Sequence, residues 1–250
     1  VTLAQHLFQK VDVCAGVRLA RDEDDRRVVA ARVAPVGDAP GEDVGQLIHA
    51  GPKEQLDLTT NTQPVMLTAG IACYRAWMAE TGLVPSVVAG HSLGEYSALV
   101  AAGALTLADA LPLVRFRAQA MQDAVPVGAG AMAAILGLDA QTVRDGCAEV
   151  VAATGEVVAA ANFNDPKQTV IAGSKAGVEK GCEMLKAAGA KRTLPLPVSA
   201  PFHSSLMKPA AERLREKLAS VALRPPRIAM VNNIDVAAPN DPAAIRDALY

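Results

Sequence analysis

The sequence predicts an α/β fold in which a larger domain is interrupted by a smaller α+β subdomain. Three observations predict it. A short β-branched run, "SVVAG", stands between helical stretches, as an interior strand of a parallel sheet does. Residues 130–198 read strand-helix-strand-strand-helix-strand, the order of a ferredoxin-like split unit. Beyond them a helix, a strand and a helix return the chain to the larger domain. With 250 residues, 51% of them apolar, the chain is long enough to bury a sizeable core. The expected division is an atypical, disordered segment over 1–42, an α/β core over 43–128 and 199–250, and the subdomain over 129–198.

Each element has its own signal. Residues 1–42 alternate charged and Ala/Val/Pro/Gly-rich text without a steady period, hence the expectation of disorder. "TQPVMLTAGIACYRAWMAETG" predicts a buried helix, capped near Thr62 and ended by Gly82. After "SVVAG", "LGEYSALVAAGA" predicts a helix, and so does "TLADALPLVRFRAQAMQDA". The latter opens on a capping-box-like Thr106-x-x-Asp109, with Pro112 expected to bend its first turns. In the subdomain, "AMAAILG", "EVVAAANFN", "QTVIAGS" and "AKRTLPLPVS" predict strands. "AQTVRDGCAEVVAAT" and "KAGVEKGCEMLKAAG" predict its helices. "SSLMKPAAERLREKLASV", "RIAMVNN" and "DPAAIRDALY" close the chain as helix, strand and helix.

Composition excludes several classes. Charge is nearly balanced, 24 basic against 26 acidic residues, which argues against nucleic acid as the main partner. The cysteines Cys14, Cys73, Cys147 and Cys182 are isolated, with no zinc spacing, and fit small buried residues in a reducing compartment; no metal is expected. No signal peptide is evident and apolar runs are too short to span a bilayer, so a cytoplasmic protein without membrane association is the expectation.

One triplet carries chemistry. In "VVAGHSLGEYSALVAAGAL", Ser92 stands between Gly90 and Gly94 on a strand-to-helix corner, the pattern of a nucleophile elbow, where small residues at both flanks avoid a clash. The following helix aims its positive end at the corner, making the Leu93 N–H a natural oxyanion donor. A serine hydroxyl needs a base. His6 and His49 fit solvated positions, and His91, adjoining the serine, fits a structural role. His203, on the crossover "PVSAPFHSSLM", can face the cleft between domains; the residues alone leave it equally a base or a structural histidine. Leu113, Arg117 and Met121 share a helical stripe that should face inward. A buried guanidinium there needs either a structural ion pair or a substrate carboxylate.

Together, "TTNTQPVMLTA", "VVAGHSLGEYSALVAAGAL", "LVRFRAQAMQDAVP", "NFNDPKQTVIAG" and "PLPVSAPFHSSLM" closely resemble the malonyl-CoA:acyl carrier protein transacylases of bacterial fatty acid synthesis, over about residues 43–249. The resemblance implies an α/β-hydrolase-like core with an inserted ferredoxin-like subdomain. By the same resemblance Ser92 is acylated by malonyl, His203 is its general base and acid, Arg117 holds the malonyl carboxylate, and Leu93 supplies one oxyanion donor. Met121 and Asn162 line the pocket, and Phe202 resembles the malonyl-selective form of its motif. The implied substrate is malonyl-CoA and the implied acceptor is the phosphopantetheine of acyl carrier protein, with no other cofactor and a monomeric enzyme.

Two departures accompany the resemblance. The family's "GQGSQ" loop, which supplies a second oxyanion donor, has no counterpart in residues 1–42, and the sequence stops at Tyr250 before a family segment that orients the histidine. The expectation from both is an impaired activity. Competing readings are a serine hydrolase or thioesterase, an inactive transacylase remnant that keeps the cleft, and a domain excised from a polyketide synthase. Lys208, Arg213, Arg215 and Lys217 offer either a patch for an acidic partner or a solvated helix face.

Overall fold

The computed structural model describes residues 44–198 and 200–250. The expectations for residues 1–42, including His6 and Cys14, and for the side chain of His49 lie outside the described residues. The chain forms two compact units, one running to Ala118 and resuming over Arg215–Tyr250, the other Gln119–Leu214.

In the first unit α1 (Val44–Ala50) and α2 (Lys53–Leu56) lead into the long helix α3 (Thr59–Thr81). α3 begins ahead of Thr62, whose hydroxyl donates to the carbonyls of Leu56 at 2.6 Å and Leu58 at 2.9 Å; Leu58 is the capping residue, without a side-chain bond. Thr62 is thus an internal threonine donating backward, not the cap. Gly82 ends the helix at φ 65°, as expected. β1 (Val87–Ala89), α4 (Gly94–Ala101) and α5 (Leu107–Asp123) follow, with β6 (Ala229–Val231) and α9 (Pro242–Ala248) from the chain's end. β1 pairs β6 in parallel, Val87 opposite Ala229 and Ala89 opposite Val231. Among the described residues β1 has one strand partner, and Val87 is 53% exposed. α5 opens on the anticipated box, the Asp109 N–H donating to the Thr106 hydroxyl at 3.1 Å. Its stripe is buried, Leu113 fully and Arg117 and Met121 nearly so. Tyr96, Leu67, Leu99, Met230 and Ile245 are buried core residues of this unit.

The second unit holds β2 (Gly130–Leu136), α6 (Ala140–Thr154), β3 (Val158–Asp165), β4 (Gln168–Ser174), α7 (Lys175–Ala187), β5 (Arg192–Pro195) and most of α8 (Lys208–Ala219). Its antiparallel sheet has the order β3-β4-β2-β5, as the ferredoxin-like reading requires. Strand alternation sorts the sheet's two faces. Ala133, Ile135 and Ile171 pack with Val143, Val150, Val178 and Leu185 of the helices. Met132, Ala134, Val170 and Ala172 form the other cluster, against which Phe202 packs. Asp139 caps α6 by accepting from the Thr142 N–H at 2.9 Å, and Ser174 caps α7 from the Gly177 N–H at 3.1 Å. β5 is shorter than "AKRTLPLPVS" predicts because Pro195 and Pro197 have no N–H for a ladder. The helix expected from Ser204 starts as a tight turn, Ser205–Met207, before α8.

Among the described residues, no helix is long and apolar enough to cross a membrane. Cys147 is buried, whereas Cys73 and Cys182 are only partly so. Burial pushes the Cys147 thiol up to about 11 and raises the other two, so all three stay protonated at neutral pH.

Candidate active site

Ser92 sits between β1 and α4 with φ 52°, a left-handed conformation rare for a residue with a side chain. Such a residue stores on the order of 1–3 kcal/mol of strain and persists only where its surroundings over-determine it. The two flanking glycines are not equivalent. A Cβ on Gly90 would lie 1.9 Å from the carbonyl carbon and oxygen of Gly94, so only glycine fits. A Cβ on Gly94 would meet nothing within 4 Å. The expected clash therefore belongs to Gly90 alone; Gly94 is the backbone it approaches.

The turn spends its amides in order. Gly94 N–H donates to the His91 carbonyl at 2.9 Å, Glu95 N–H to Ser92 at 3.2 Å, and Tyr96 N–H to Leu93 at 3.0 Å. The Ser92 N–H donates to Asn233 Oδ1 at 3.2 Å. That leaves the Leu93 N–H with no acceptor among the described residues, at the positive end of α4. The His91 side chain is exposed, and its backbone carbonyl does the structural work.

Arg117 is 9% exposed. Its Nη1 donates to Gln63 Oε1 at 2.7 Å and its Nη2 to Ser92 Oγ at 3.1 Å, while the guanidinium lies 5.6 Å from the Tyr96 ring centre. Gln63 comes from α3, as does Asn61, whose Oδ1 accepts from Arg115 Nη1 at 2.6 Å. Of the alternatives for Arg117, a structural ion pair is not what the described residues provide: its hydrogen-bond partners are neutral. Burial raises the Glu95 carboxyl above its ordinary value, opposed by bonds from Asn233 and by Arg117. Burial also pushes the Tyr96 phenol up to about 12, keeping it neutral.

The remaining predicted residues lie in the second unit. His203 is exposed in a turn at φ 60°, a conformation histidine tolerates better than most residues. The turn is pinned by the Ser204 hydroxyl donating to the Pro201 carbonyl at 2.7 Å. Gly130 lets it approach β2, since a Cβ there would come within 2.3 Å of the Pro201 ring. Phe202 is half-buried beside the Met132 cluster, Asn162 half-buried on β3 opposite Val170, and Met121 buried near the end of α5. In the first unit the structure thus joins Ser92, Leu93 and Arg117. It adds Gln63, Glu95 and Asn233, which sequence reasoning missed. Ser92-x-x-Glu95 has capping-box spacing and could have singled out Glu95; the other two lack a local signal. In the basic helix, Arg213 pairs with Asp123 at 2.9 Å and Lys217 lies 5.9 Å from the Phe116 ring centre, so both of these members of the suggested patch have intramolecular partners.

The chain belongs to the acyl transferases: the family described as "Acyl transferase domain" matches residues 15–246. The match starts upstream of residue 43, where the resemblance in the sequence begins. The malonyl CoA-acyl carrier protein transacylase of Escherichia coli K12 is 51% identical over 222 residues, 89% of this chain and 71% of that protein. That of Bacillus subtilis is 47% identical over 206 residues, 82% of this chain and 64% of that protein. Among solved structures, the acyl-carrier-protein S-malonyltransferase of Burkholderia pseudomallei aligns with a TM-score of 0.85 and 66% identity, over 89% of this chain and 72% of that one. A malonyl-transacylase solved in complex with a type II polyketide acyl carrier protein aligns at 0.86 with 47% identity, over 89% and 72% of the two chains.

Proposed function

We propose that this chain transfers a malonyl group from malonyl-CoA to the phosphopantetheine thiol of acyl carrier protein, in fatty acid synthesis, through a malonyl ester on Ser92. The observation that carries the reading is Arg117, a buried cation with neutral partners whose Nη2 lies 3.1 Å from the Ser92 hydroxyl oxygen. In a malonyl group a single methylene separates the thioester carbonyl from the free carboxylate, so nucleophile and anion receptor must be close neighbours. An acetyl group would leave the guanidinium without its anion, and that costs affinity.

In the first half-reaction His203 takes the Ser92 proton as Oγ attacks the thioester carbonyl. The Leu93 N–H donates to the oxyanion of the tetrahedral intermediate, which collapses to the ester as the CoA sulfur leaves and takes the proton from His203. The second half-reaction runs in reverse with the carrier thiol as nucleophile. It delivers its proton through His203 to the departing Ser92 oxygen and forms the new thioester. Arg117 turns from Ser92 Oγ to the malonyl carboxylate, with Gln63 fixing the other arm of the guanidinium. Met121, Asn162 and Phe202 line the acyl pocket, Phe202 limiting it to malonyl. The reaction needs no group beyond the carrier's phosphopantetheine, and the cytoplasm is where the reading sets it.

The test compares holo acyl carrier protein with water as acceptor. Rapid malonyl-carrier formation, and slow release of free malonate without the carrier, support transfer. Malonate release at one rate with or without carrier would identify a hydrolase.

A further inference from the structure

In a capping box the glutamate three residues after the cap reaches back to the cap's own N–H. Ser92 and Glu95 have that spacing, but the bond is relayed. Asn233 stands between them: its Oδ1 accepts from the Ser92 N–H at 3.2 Å, and its Nδ2 donates to Glu95 Oε2 and to the Gly90 carbonyl, each at 2.6 Å. The Asn233 N–H also donates to Glu95 Oε2, at 3.4 Å. Glu95 is 5% exposed, and its other oxygen is buried without a partner among the described residues. With two acceptors on one side of the amide and a donor on the other, the orientation of the Asn233 amide is dictated.

The topology puts Asn233 there. β1 and β6 are parallel with Ala89 opposite Val231, so the elbow and Asn233 leave the same end of the sheet. The loop carrying Asn233 is tied to itself, the Asn232 N–H donating to the Ala237 carbonyl at 2.9 Å and the Asp235 N–H to Asn232 Oδ1 at 3.2 Å. A single amide thus grips the elbow on both sides of its bend, at Gly90 and at Ser92, where φ is positive.

We propose that Asn233, oriented by Glu95, is a positioning residue that holds Ser92 and the Leu93 amide in the geometry of attack. The proposal rests on Ser92 being the acylated nucleophile. Loosening the clamp lets the elbow relax from its left-handed conformation, and a displacement of about 1 Å at a reacting atom costs on the order of 10²-fold.

The experiment is single-turnover acylation of Ser92 by saturating malonyl-CoA in the full chain, with thermal unfolding of each variant alongside. Asn233→Ala is expected to slow acylation about 10²-fold while leaving KM for malonyl-CoA nearly unchanged, and to lower the unfolding temperature by a few degrees because the buried Glu95 carboxyl loses its short amide donor. Asn233→Ser carries the same test should Asn233→Ala lose its fold. Asn233→Asp faces Glu95 and the Gly90 carbonyl with no hydrogen to give, and is expected to be slower still. Adding Glu95→Gln to it supplies a donor and restores part of the rate. A folded Asn233→Ala that acylates within about threefold of the parent overturns the clamp, as does an Asn233→Asp variant that Glu95→Gln does not speed up. A parent chain with no Ser92-dependent adduct overturns the underlying reading as well, and so is distinguishable from failure of the clamp alone.

Discussion

Gly90 and Gly94 flank Ser92 symmetrically in sequence but not in space, and replacing each by alanine separates the two roles. In Gly90→Ala the new methyl would lie 1.9 Å from the Gly94 carbonyl carbon and oxygen and 2.5 Å from the Glu95 nitrogen. Real contacts of this kind lie beyond 3.0 Å, and the opposing atoms are backbone, so the first turn of α4 must move by about 1 Å. Overpacking typically costs about 1–3 kcal/mol, and a rigid backbone neighbour puts Gly90→Ala at the upper end. In a chain of this size that lowers the unfolding temperature by about 6–12 °C. The same displacement carries the Leu93 amide away from the oxyanion and slows Ser92 acylation by about 10²-fold. Gly94→Ala meets open space and replaces a glycine at the start of a helix, so stability should hold or rise by up to about 1 kcal/mol. The assays are thermal unfolding and the rate of adduct formation with malonyl-CoA. Equal destabilisation of the two variants, or a Gly90→Ala chain that acylates at the parent rate, would refute the reasoning.

Three further outcomes follow from the same structure. Arg117→Ala should cut kcat/KM for malonyl-CoA by about 30- to 5,000-fold, equivalent to about 2–5 kcal/mol, while acetyl-CoA turnover changes little; steady-state rates with both esters check it. Gln63→Glu should neutralise Arg117 from within and raise KM for malonyl-CoA more than Gln63→Ala does, because the new carboxylate competes with that of the substrate. Burial raises the Glu95 carboxyl above its ordinary 4.5, so the folded state holds a proton that the unfolded chain has released and loses stability as pH rises through that window. Glu95→Gln should lack this loss, its advantage over the parent growing from pH 4.5 upward in denaturant titrations.

The second unit was the most legible part of the chain because its signals are local. Ala133 and Ile135 alternate with Met132 and Ala134 along β2, and helix α6 spans the predicted stretch. The strand that pairs with "SVVAG" was not legible, since the parallel pairing of Val87–Ala89 with Ala229–Val231 joins segments far apart in the chain. Within the site, Ser92 was legible through Gly90, and Arg117 through the i, i+4 stripe it shares with Leu113 and Met121. Their partners were not. Gln63 reaches Arg117 across 54 positions, and Asn233 reaches Glu95 across 138, distances at which no spacing rule operates. The amide of Asn233, moreover, looks like any loop asparagine until the parallel pairing of β1 with β6 brings it beside the elbow.

Ser92 is expected to carry the malonyl group between two thiols. Mixing the chain with malonyl-CoA, quenching in acid and mapping the modified peptide by mass spectrometry tests it most directly. The expected result is a malonyl ester on Ser92 that is absent from Ser92→Ala and is discharged by holo acyl carrier protein. An unmodified Ser92, or a malonyl group mapped to any other residue, would contradict it.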